Sequence, residues 1–131
     1  MLAIDTNVVV RLLTGDDPDQ AARARALLAG GRVFVALTVL LEAEWVLRCA
    51  YGFDRLAVVG ALEAFAGLEA VVVERPQLLA GALRRCAAGM DFADALHLGA
   101  AEGCEGFVTF DRRMIAAAGD GYVRDGYVRE V

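Results

Sequence analysis

Hydrophobic and polar residues alternate along the chain in a pattern that predicts short strands and amphipathic helices in turn. Apolar residues that recur every three or four positions mark the helices, and short continuous runs of Val, Ile and Phe mark the strands. Because these runs lack polar alternation, we expect the strands to be buried on both faces. The pattern therefore predicts an α/β fold with a mostly parallel sheet and helices on both of its sides.

Capping residues, glycines and prolines set the boundaries of these elements. Strands are predicted at residues 2–5, 32–36, 69–73, 106–110 and 122–131, and helices at 8–13, 17–30, 38–51, 54–67, 76–89, 91–102 and from 111 onward. Asp17 followed by Pro18 is a strong helix start. Thr38, Asp54 and Asp91 can each cap the helix that follows. No linker interrupts the pattern, so residues 1–131 are predicted to form a single domain.

Composition narrows the range of chemistry. The chain has 131 residues, 58% of them hydrophobic, which predicts either a large core or apolar surface covered by a partner. It contains neither lysine nor serine, which excludes a serine nucleophile, a P-loop lysine and a Schiff-base lysine. The net charge of −5 argues against tight, unspecific nucleic-acid binding through a basic surface. A nucleic-acid substrate is still compatible with it, since an acidic metal site itself contributes negative charge.

Targeting signals and cysteine motifs are missing from the sequence. The longest apolar run ends at Glu42, far short of the roughly 20 residues that a bilayer requires. No basic segment precedes an apolar one near Met1, so we expect no signal peptide and a cytoplasmic location. The three cysteines form no CxxC pair, and we predict that Cys49, Cys86 and Cys104 are buried thiols.

Two acids follow predicted strands directly. Asp5 closes the first strand and Asp111 comes just after the fourth. Ligand sites of parallel sheets lie beyond the carboxyl ends of the strands, so both carboxylates are expected at one edge of the sheet. This placement suggests a site for a divalent cation.

Two more acids lie within predicted helices. Glu42 falls at the border of the apolar face of its helix, whereas Glu44 falls on a side that we expect to be solvated. Asp94 lies in a helix so apolar that an unpaired carboxylate would be costly there. At about 5 Å and an effective dielectric near 20, each pair of carboxylates repels by roughly 3 kcal/mol. Such a cluster would need a cation, protonation or inserted arginines, and oxygen-only ligands favour Mg²⁺ or Mn²⁺ over zinc.

Each of these residues also has a purely structural interpretation. Asp5 or Thr6 can serve only to cap the following helix, and Asp111 only to cap the last one. Asp91 is interpreted as the cap of its own helix. Glu42 can instead pair with a buried arginine such as Arg11.

The only histidine, His97, lies one helical turn after Asp94. It could act as a general acid or base, but its apolar context favours a packed or hydrogen-bonded structural side chain. Arg112 and Arg113 could hold a nucleic-acid backbone, and their alternative is a solvated position in the first turn of a helix.

Four motifs, taken together, resemble those of the PIN-domain ribonucleases and, among these, the VapC toxins of bacterial toxin–antitoxin modules. They are Asp5-Thr6-Asn7 after a strand, Glu42 in LLEAEWVL, Asp94 in DFADAL and Asp111 in VTFD, in matching order from residue 2 to about 115. The last ten residues match no pattern of the family.

The resemblance implies a three-layer α/β/α sandwich and Mg²⁺-dependent cleavage of RNA by a metal-activated water, with Mn²⁺ as a possible substitute. It also implies a homodimer and a small antitoxin protein that blocks the site. Carried over by position, the metal-site acids are Asp5, Glu42, Asp94 and Asp111. Thr6 and Asn7 fall where the family often has supporting polar groups, and Asp91 and Arg112 are further candidates for a supporting or substrate-binding role.

Several other functions require residues or elements that this chain lacks. A haloacid-dehalogenase-like phosphatase or a response-regulator receiver would require a lysine, and the phosphatase an acid where the chain has Asn7. A flap endonuclease would need DNA-guiding elements for which 131 residues leave little room. The alternative that stays open is a PIN-like binding module that no longer cleaves. The presence of all four acids argues against it, because a module that does not cleave would be more stable without carboxylates that repel one another.

Overall fold

A computed structural model describes residues 1–119 and 126–131. The chain divides into two compact units, Met1–Gln77 and Leu78–Val131. The prediction of a single domain stays a prediction.

The first unit contains a three-stranded sheet and four helices. The strands are β1 (Leu2–Ala3), β2 (Val33–Val35) and β3 (Val71–Val73), and the helices are α1 (Thr6–Thr14), α2 (Pro18–Ala29), α3 (Leu37–Cys49) and α4 (Arg55–Ala66). Helix α1 packs against α2 and α3, and α3 also packs against α4. This arrangement confirms the predicted alternation of short strands and helices.

All three strands of this sheet run parallel, in the order β1-β2-β3. Val35 pairs with Val73, and the ladder continues beyond β1 through a hydrogen bond from Ile4 N to Phe34 O at 3.0 Å. The carboxyl ends of all three strands therefore meet at one edge of the sheet. Residues 4–5, 36–37 and 74 lie at that edge.

Strand burial matches the prediction only in part. The outer residues of β2 and β3 are buried, as expected for strands inside a fold. Both residues of β1 are exposed, and Val108 of the fourth strand is 54% exposed. The prediction that these two strands are buried on both faces is wrong. The reason is that β1 lies at an edge of its sheet, while the fourth strand pairs with a single partner.

The second unit contains most of α5 (Pro76–Ala87), together with α6 (Phe92–Ala100), α7 (Arg112–Ala118) and two strands. The strands β4 (Phe107–Thr109) and β5 (Val128–Glu130) form a separate parallel pair, in which Val108 is opposite Arg129. Every strand pair of residues 1–119 and 126–131 is parallel, so the α/β class with parallel pairing is confirmed. The predicted last strand, 122–131, is shorter in the structure, and its residues 122–125 lie outside the described part.

Most of the predicted helix caps are confirmed. Asp17, Asp54 and Asp91 each accept a hydrogen bond from a backbone N–H in the first turn of the following helix. The predicted cap of α3 is wrong, because the helix begins at Leu37 and Thr38 lies inside it. The residue that precedes α3 is Ala36, which has no side chain able to cap.

The cysteine prediction holds for one residue of three. Cys86 is buried, whereas Cys49 and Cys104 are exposed. Cys49 ends α3 beside the exposed Arg48, and Cys104 lies in the turns after α6, so the apolar local sequence did not translate into burial. None of the described helices is long and apolar enough to cross a bilayer.

Candidate functional site

The first candidate acid, Asp5, stands at the carboxyl edge of the three-stranded sheet. It is the N-cap of α1, and its Oδ1 accepts a hydrogen bond from Val8 N at 3.3 Å. The capping role considered from the sequence is therefore present in the structure. Asp5 and Asn7 are exposed, whereas Thr6 is buried, so the first and third residues of the motif are the ones open to a ligand.

The two acids of α3 lie in opposite environments, and the one predicted to be solvated is the buried one. Glu42 is exposed, while Glu44 is only 5% exposed. Both carboxylate oxygens of Glu44 accept bonds from the Arg48 guanidinium, at 3.2 to 3.4 Å. The prediction that Glu44 is solvated is wrong: an arginine four residues later on the same helix neutralises it, which makes burial tolerable. Glu42 is thus the acid of α3 that faces solvent.

Arg11 binds residues other than Glu42. Its Nε donates to Gln20 Oε1 at 2.8 Å and its Nη1 to the Tyr51 hydroxyl at 3.0 Å. The Tyr51 hydroxyl in turn donates to Asp16 Oδ2 at 2.9 Å. The proposed pairing of Glu42 with Arg11 is corrected accordingly, because the guanidinium is occupied by this network.

Three acids of the second unit stand in or just before the first turn of a helix. Asp91 caps α6 through a bond from Asp94 N to its Oδ2 at 3.2 Å, and Asp94 lies in the first turn of the same helix. Asp111 follows β4 and caps α7, with its Oδ1 accepting from Arg113 N at 2.9 Å and Met114 N at 3.2 Å. Both predicted caps are therefore observed.

The electrostatic consequence of this crowding is seen at Asp94. Desolvation by burial raises the pKa of its carboxyl above the ordinary value, and the negative charges of Asp91 and Asp111 raise it further. His97 acts in the opposite direction and lowers the pKa of Asp94. The repulsion expected from the sequence is thus present within the second unit. A cation bound there would relieve it.

His97 is exposed, so the prediction of a packed structural side chain is wrong. It lies on the side of α6 opposite to the buried Ala95 and Leu98, which its apolar neighbours in the sequence did not reveal.

Arg112, the candidate substrate-binding residue, is largely exposed. Its Nη2 lies 3.6 Å from Glu130 Oε1, and the two side chains are 83% and 51% exposed. An ion pair at this exposure is weak and can exchange for a phosphate group. The solvated position that the sequence left as an alternative is therefore observed, and it does not prevent Arg112 from binding an anion.

A cavity of about 380 Å³ opens beside the Asp5-Thr6-Asn7 motif in the first unit. Its lining combines two arginines, two amides and an apolar floor: Asn7, Val8, Arg11, Gln20, Arg23, Ala24 and Leu27. Such a lining suits an anionic ligand that also has an apolar or planar part.

The candidate acids form a donor set that suits a divalent cation. The candidate acids supply only carboxylate oxygens, the ligands that Mg²⁺ and Mn²⁺ prefer. In the part of the chain that the structure describes, the capping bonds of Asp5, Asp91 and Asp111 use one carboxylate oxygen each, which leaves the second oxygen for a cation. The chemistry of the donors therefore fits. No three histidine, cysteine or acidic residues among 1–119 and 126–131 are arranged as a ready metal cage.

Sequence reasoning missed one polar residue at the sheet edge, Glu74. It directly follows β3, and its Oε1 accepts a hydrogen bond from Leu37 N at 2.9 Å. An acid immediately after a predicted strand was the signal that identified Asp5, and the same signal was available at Glu74.

Known proteins share the features of this chain at the level of family and of fold. The family model described as PIN domain matches residues 2–120. Among solved structures, the chain is similar to the crystal structure of Mycobacterium tuberculosis VapC20, a sarcin–ricin loop cleaving toxin, with 25% sequence identity and a TM-score of 0.45. That similarity covers 95% of this chain and 99% of the other. No curated protein matches the sequence.

Proposed function

We propose that this chain, which belongs to the PIN domain family, is a Mg²⁺-dependent endoribonuclease and the toxin component of a toxin–antitoxin system. Family membership supports a nuclease. The finer assignment to the VapC toxins is supported by the four sequence motifs. The observation that carries the proposal is the environment of Asp94 in the second unit, where burial and the neighbouring carboxylates of Asp91 and Asp111 raise its pKa.

The metal-binding acids are proposed to be Asp5, Glu42, Asp94 and Asp111. Oxygen-only donors and exposed or half-buried carboxylates support this assignment. When bound, a divalent cation supplies Lewis acidity to the phosphodiester and lowers the pKa of a water molecule that attacks it. The chain contains no lysine that could stabilise the negative charge of the reacting phosphodiester. Its side chains are proposed to bind the cation, orient the substrate and balance charge.

Substrate binding is proposed for residues of both units, each considered by itself. In the first unit, Arg23 lines the cavity beside Asn7, and its exposed contact with Asp19, at 3.8 Å with side chains 78% and 82% exposed, can exchange for an anion. In the second unit, Arg112 can exchange its weak contact with Glu130 for a backbone phosphate. These local positive charges would allow an acidic protein to bind RNA without a basic surface. A small antitoxin protein and a second copy of the chain are the partners proposed from the family resemblance.

The test is cleavage of a mixed RNA pool by the purified protein, free of any antitoxin, in Mg²⁺ and in EDTA. Asp94→Asn should abolish cleavage because it removes one proposed metal ligand while keeping the size of the side chain. Asp54→Asn is the matched control, since Asp54 caps α4 through a bond from Ala57 N at 2.8 Å and asparagine caps equally well. Full activity of Asp94→Asn would refute the site.

Absence of cleavage by folded wild-type protein, with several classes of RNA, would favour the alternative of a catalytically silent binding module. A thermal melt distinguishes the two further. The nuclease should melt at a higher temperature in millimolar Mg²⁺, because a ligand that binds only the folded state stabilises it by mass action.

A further inference from the structure

Helix α3, which carries Glu42, begins without a cap of its own. The first backbone N–H groups of any helix lack partners within the helix, and a side chain usually accepts one of them. The residue before α3 is Ala36, which makes no side-chain hydrogen bond. The partner is supplied from a distant part of the sequence, because Glu74 Oε1 accepts the bond from Leu37 N at 2.9 Å.

Backbone contacts hold Glu74 in place for this bond. Val73 pairs with Val35 in the parallel sheet, and Glu74 N donates to Val35 O at 3.0 Å, so Glu74 lies next to the residue from which α3 departs. The following residue, Arg75, has a φ of 59° and precedes Pro76. A residue other than glycine adopts this conformation only where the surrounding structure imposes it. Glu74 therefore lies between a hydrogen-bonded strand and a turn whose conformation the surrounding structure imposes.

Glu74 lies apart from Asp5, one of the acids proposed to bind the metal. Two strand spacings, about 10 Å in all, separate β1 from β3 across the sheet, so Glu74 is remote from Asp5. Glu42 lies five residues after Leu37, a rise of about 7.5 Å along the helix. The orientation of the first turns of α3 thus decides where the Glu42 carboxylate is presented.

We propose that Glu74 is a positioning residue that fixes the first turn of α3 and, through it, the Glu42 carboxylate for metal binding. The inference rests on the proposed function insofar as Glu42 is taken as a metal ligand. A capping acceptor is required and a negative charge is not, so glutamine should replace glutamate at this position. Alanine should not, since it removes the acceptor.

The experiment compares wild-type protein with Glu74→Gln, Glu74→Ala and the control Glu69→Ala, which removes an exposed acid from the turn before β3. Hydrogen exchange of the Leu37 amide in metal-free protein reports the contact directly. Mg²⁺ affinity, measured from the rise in melting temperature, reports the position of Glu42. Single-turnover cleavage of RNA reports the consequence for the reaction.

Glu74→Ala should speed exchange of the Leu37 amide and weaken Mg²⁺ affinity, each by about two- to thirtyfold, the range that corresponds to loss of a helix cap. It should lower the cleavage rate while leaving the RNA concentration for half-maximal rate unchanged. Glu74→Gln and Glu69→Ala should behave like the wild type in all three measurements. If Glu74 acted through its negative charge, Glu74→Gln would not behave like the wild type.

Unchanged Leu37 exchange in Glu74→Ala would overturn the proposal, and so would equal losses in Glu74→Ala and Glu74→Gln, which would assign the effect to charge. Wild-type protein that cleaves no RNA would refute the proposed function instead. The exchange and Mg²⁺ measurements would still decide on Glu74, because neither requires RNA.

Discussion

The two acids of α3 offer a sharp test, because they are two residues apart and the structure gives them opposite roles. Glu44 is buried and bound by Arg48, whereas Glu42 is exposed. Removing the guanidinium with Arg48→Met keeps much of the apolar stem of the side chain and leaves the Glu44 carboxylate without its counter-charge. We expect this change to destabilise the protein strongly.

The magnitude follows from the exposure of the two partners. Removing one partner of a fully buried ion pair costs about 3–5 kcal/mol. The Glu44 side chain is 6% exposed but that of Arg48 is 45% exposed, so solvent already screens part of the attraction. We therefore expect a loss of about 2 kcal/mol, which for a chain of this size lowers the melting temperature by roughly 6–10 °C.

Urea unfolding and thermal melts of Arg48→Met, Glu44→Gln and the double variant measure the coupling between the two residues. The double variant should be more stable than Arg48→Met alone, because glutamine leaves no uncompensated charge. Glu42→Gln is the matched change on the exposed side of the helix and should change stability by less than about 0.5 kcal/mol. Equal destabilisation by Glu42→Gln and Arg48→Met would refute the assignment of the two roles.

Three further predictions concern stability elsewhere in the chain. In metal-free protein at neutral pH, Asp94→Asn should raise the melting temperature, because the raised pKa of Asp94 means that folding disfavours its charged form. Below pH 3.8, the ordinary pKa of the unfolded chain, Asp94 is protonated in both states, so the gain in melting temperature should vanish there. As pH rises above 3.8, the unfolded state loses this proton before the folded state does, so the gain should grow until the folded state has lost it too. Arg75→Gly should stabilise the protein by about 1 kcal/mol in urea unfolding, since glycine adopts a φ of 59° without strain; a loss of stability would contradict this. Tyr127→Phe should cost about 1 kcal/mol, because the buried hydroxyl donates to Ala101 O at 2.6 Å, and an unchanged melting temperature would show that the bond contributes nothing.

The sequence predicted the elements where local chemistry alone decides them. Asp17, Asp54 and Asp91 are caps in both prediction and structure, because the bond each makes lies within three residues of it. The start of α3 is predicted two residues late, with Thr38 as the cap where the structure has Ala36, because the capping oxygen comes from Glu74, 37 positions from Leu37. No local pattern contains that information.

Burial was harder to predict than secondary structure. The helical periodicity of apolar residues predicts that Glu44 is solvated, yet an ion pair with Arg48 one turn later makes its burial tolerable. His97 and Cys49 lie among apolar residues in sequence but on exposed faces of their helices. Which face of a helix is covered depends on the elements packed against it, and these are set by the tertiary fold.

The candidate site was predictable to the extent that strand ends could be located. Asp5 and Asp111 follow strands in the structure as in the prediction. The charges of Asp91 and Asp111 raise the pKa of Asp94, as expected for clustered acids. The role of all four acids as metal ligands stays a prediction, to be tested by variants.

The central claim is that the chain hydrolyses RNA by attack of water in a Mg²⁺-dependent reaction. The most direct measurement is incubation of the purified wild-type protein with RNA in Mg²⁺ and in EDTA, followed by identification of the product ends. We predict cleavage only in Mg²⁺, with linear phosphate ends, because water is the attacking group. Cleavage that persists in EDTA and leaves cyclic phosphate ends would contradict the account, since the neighbouring ribose hydroxyl would then be the nucleophile.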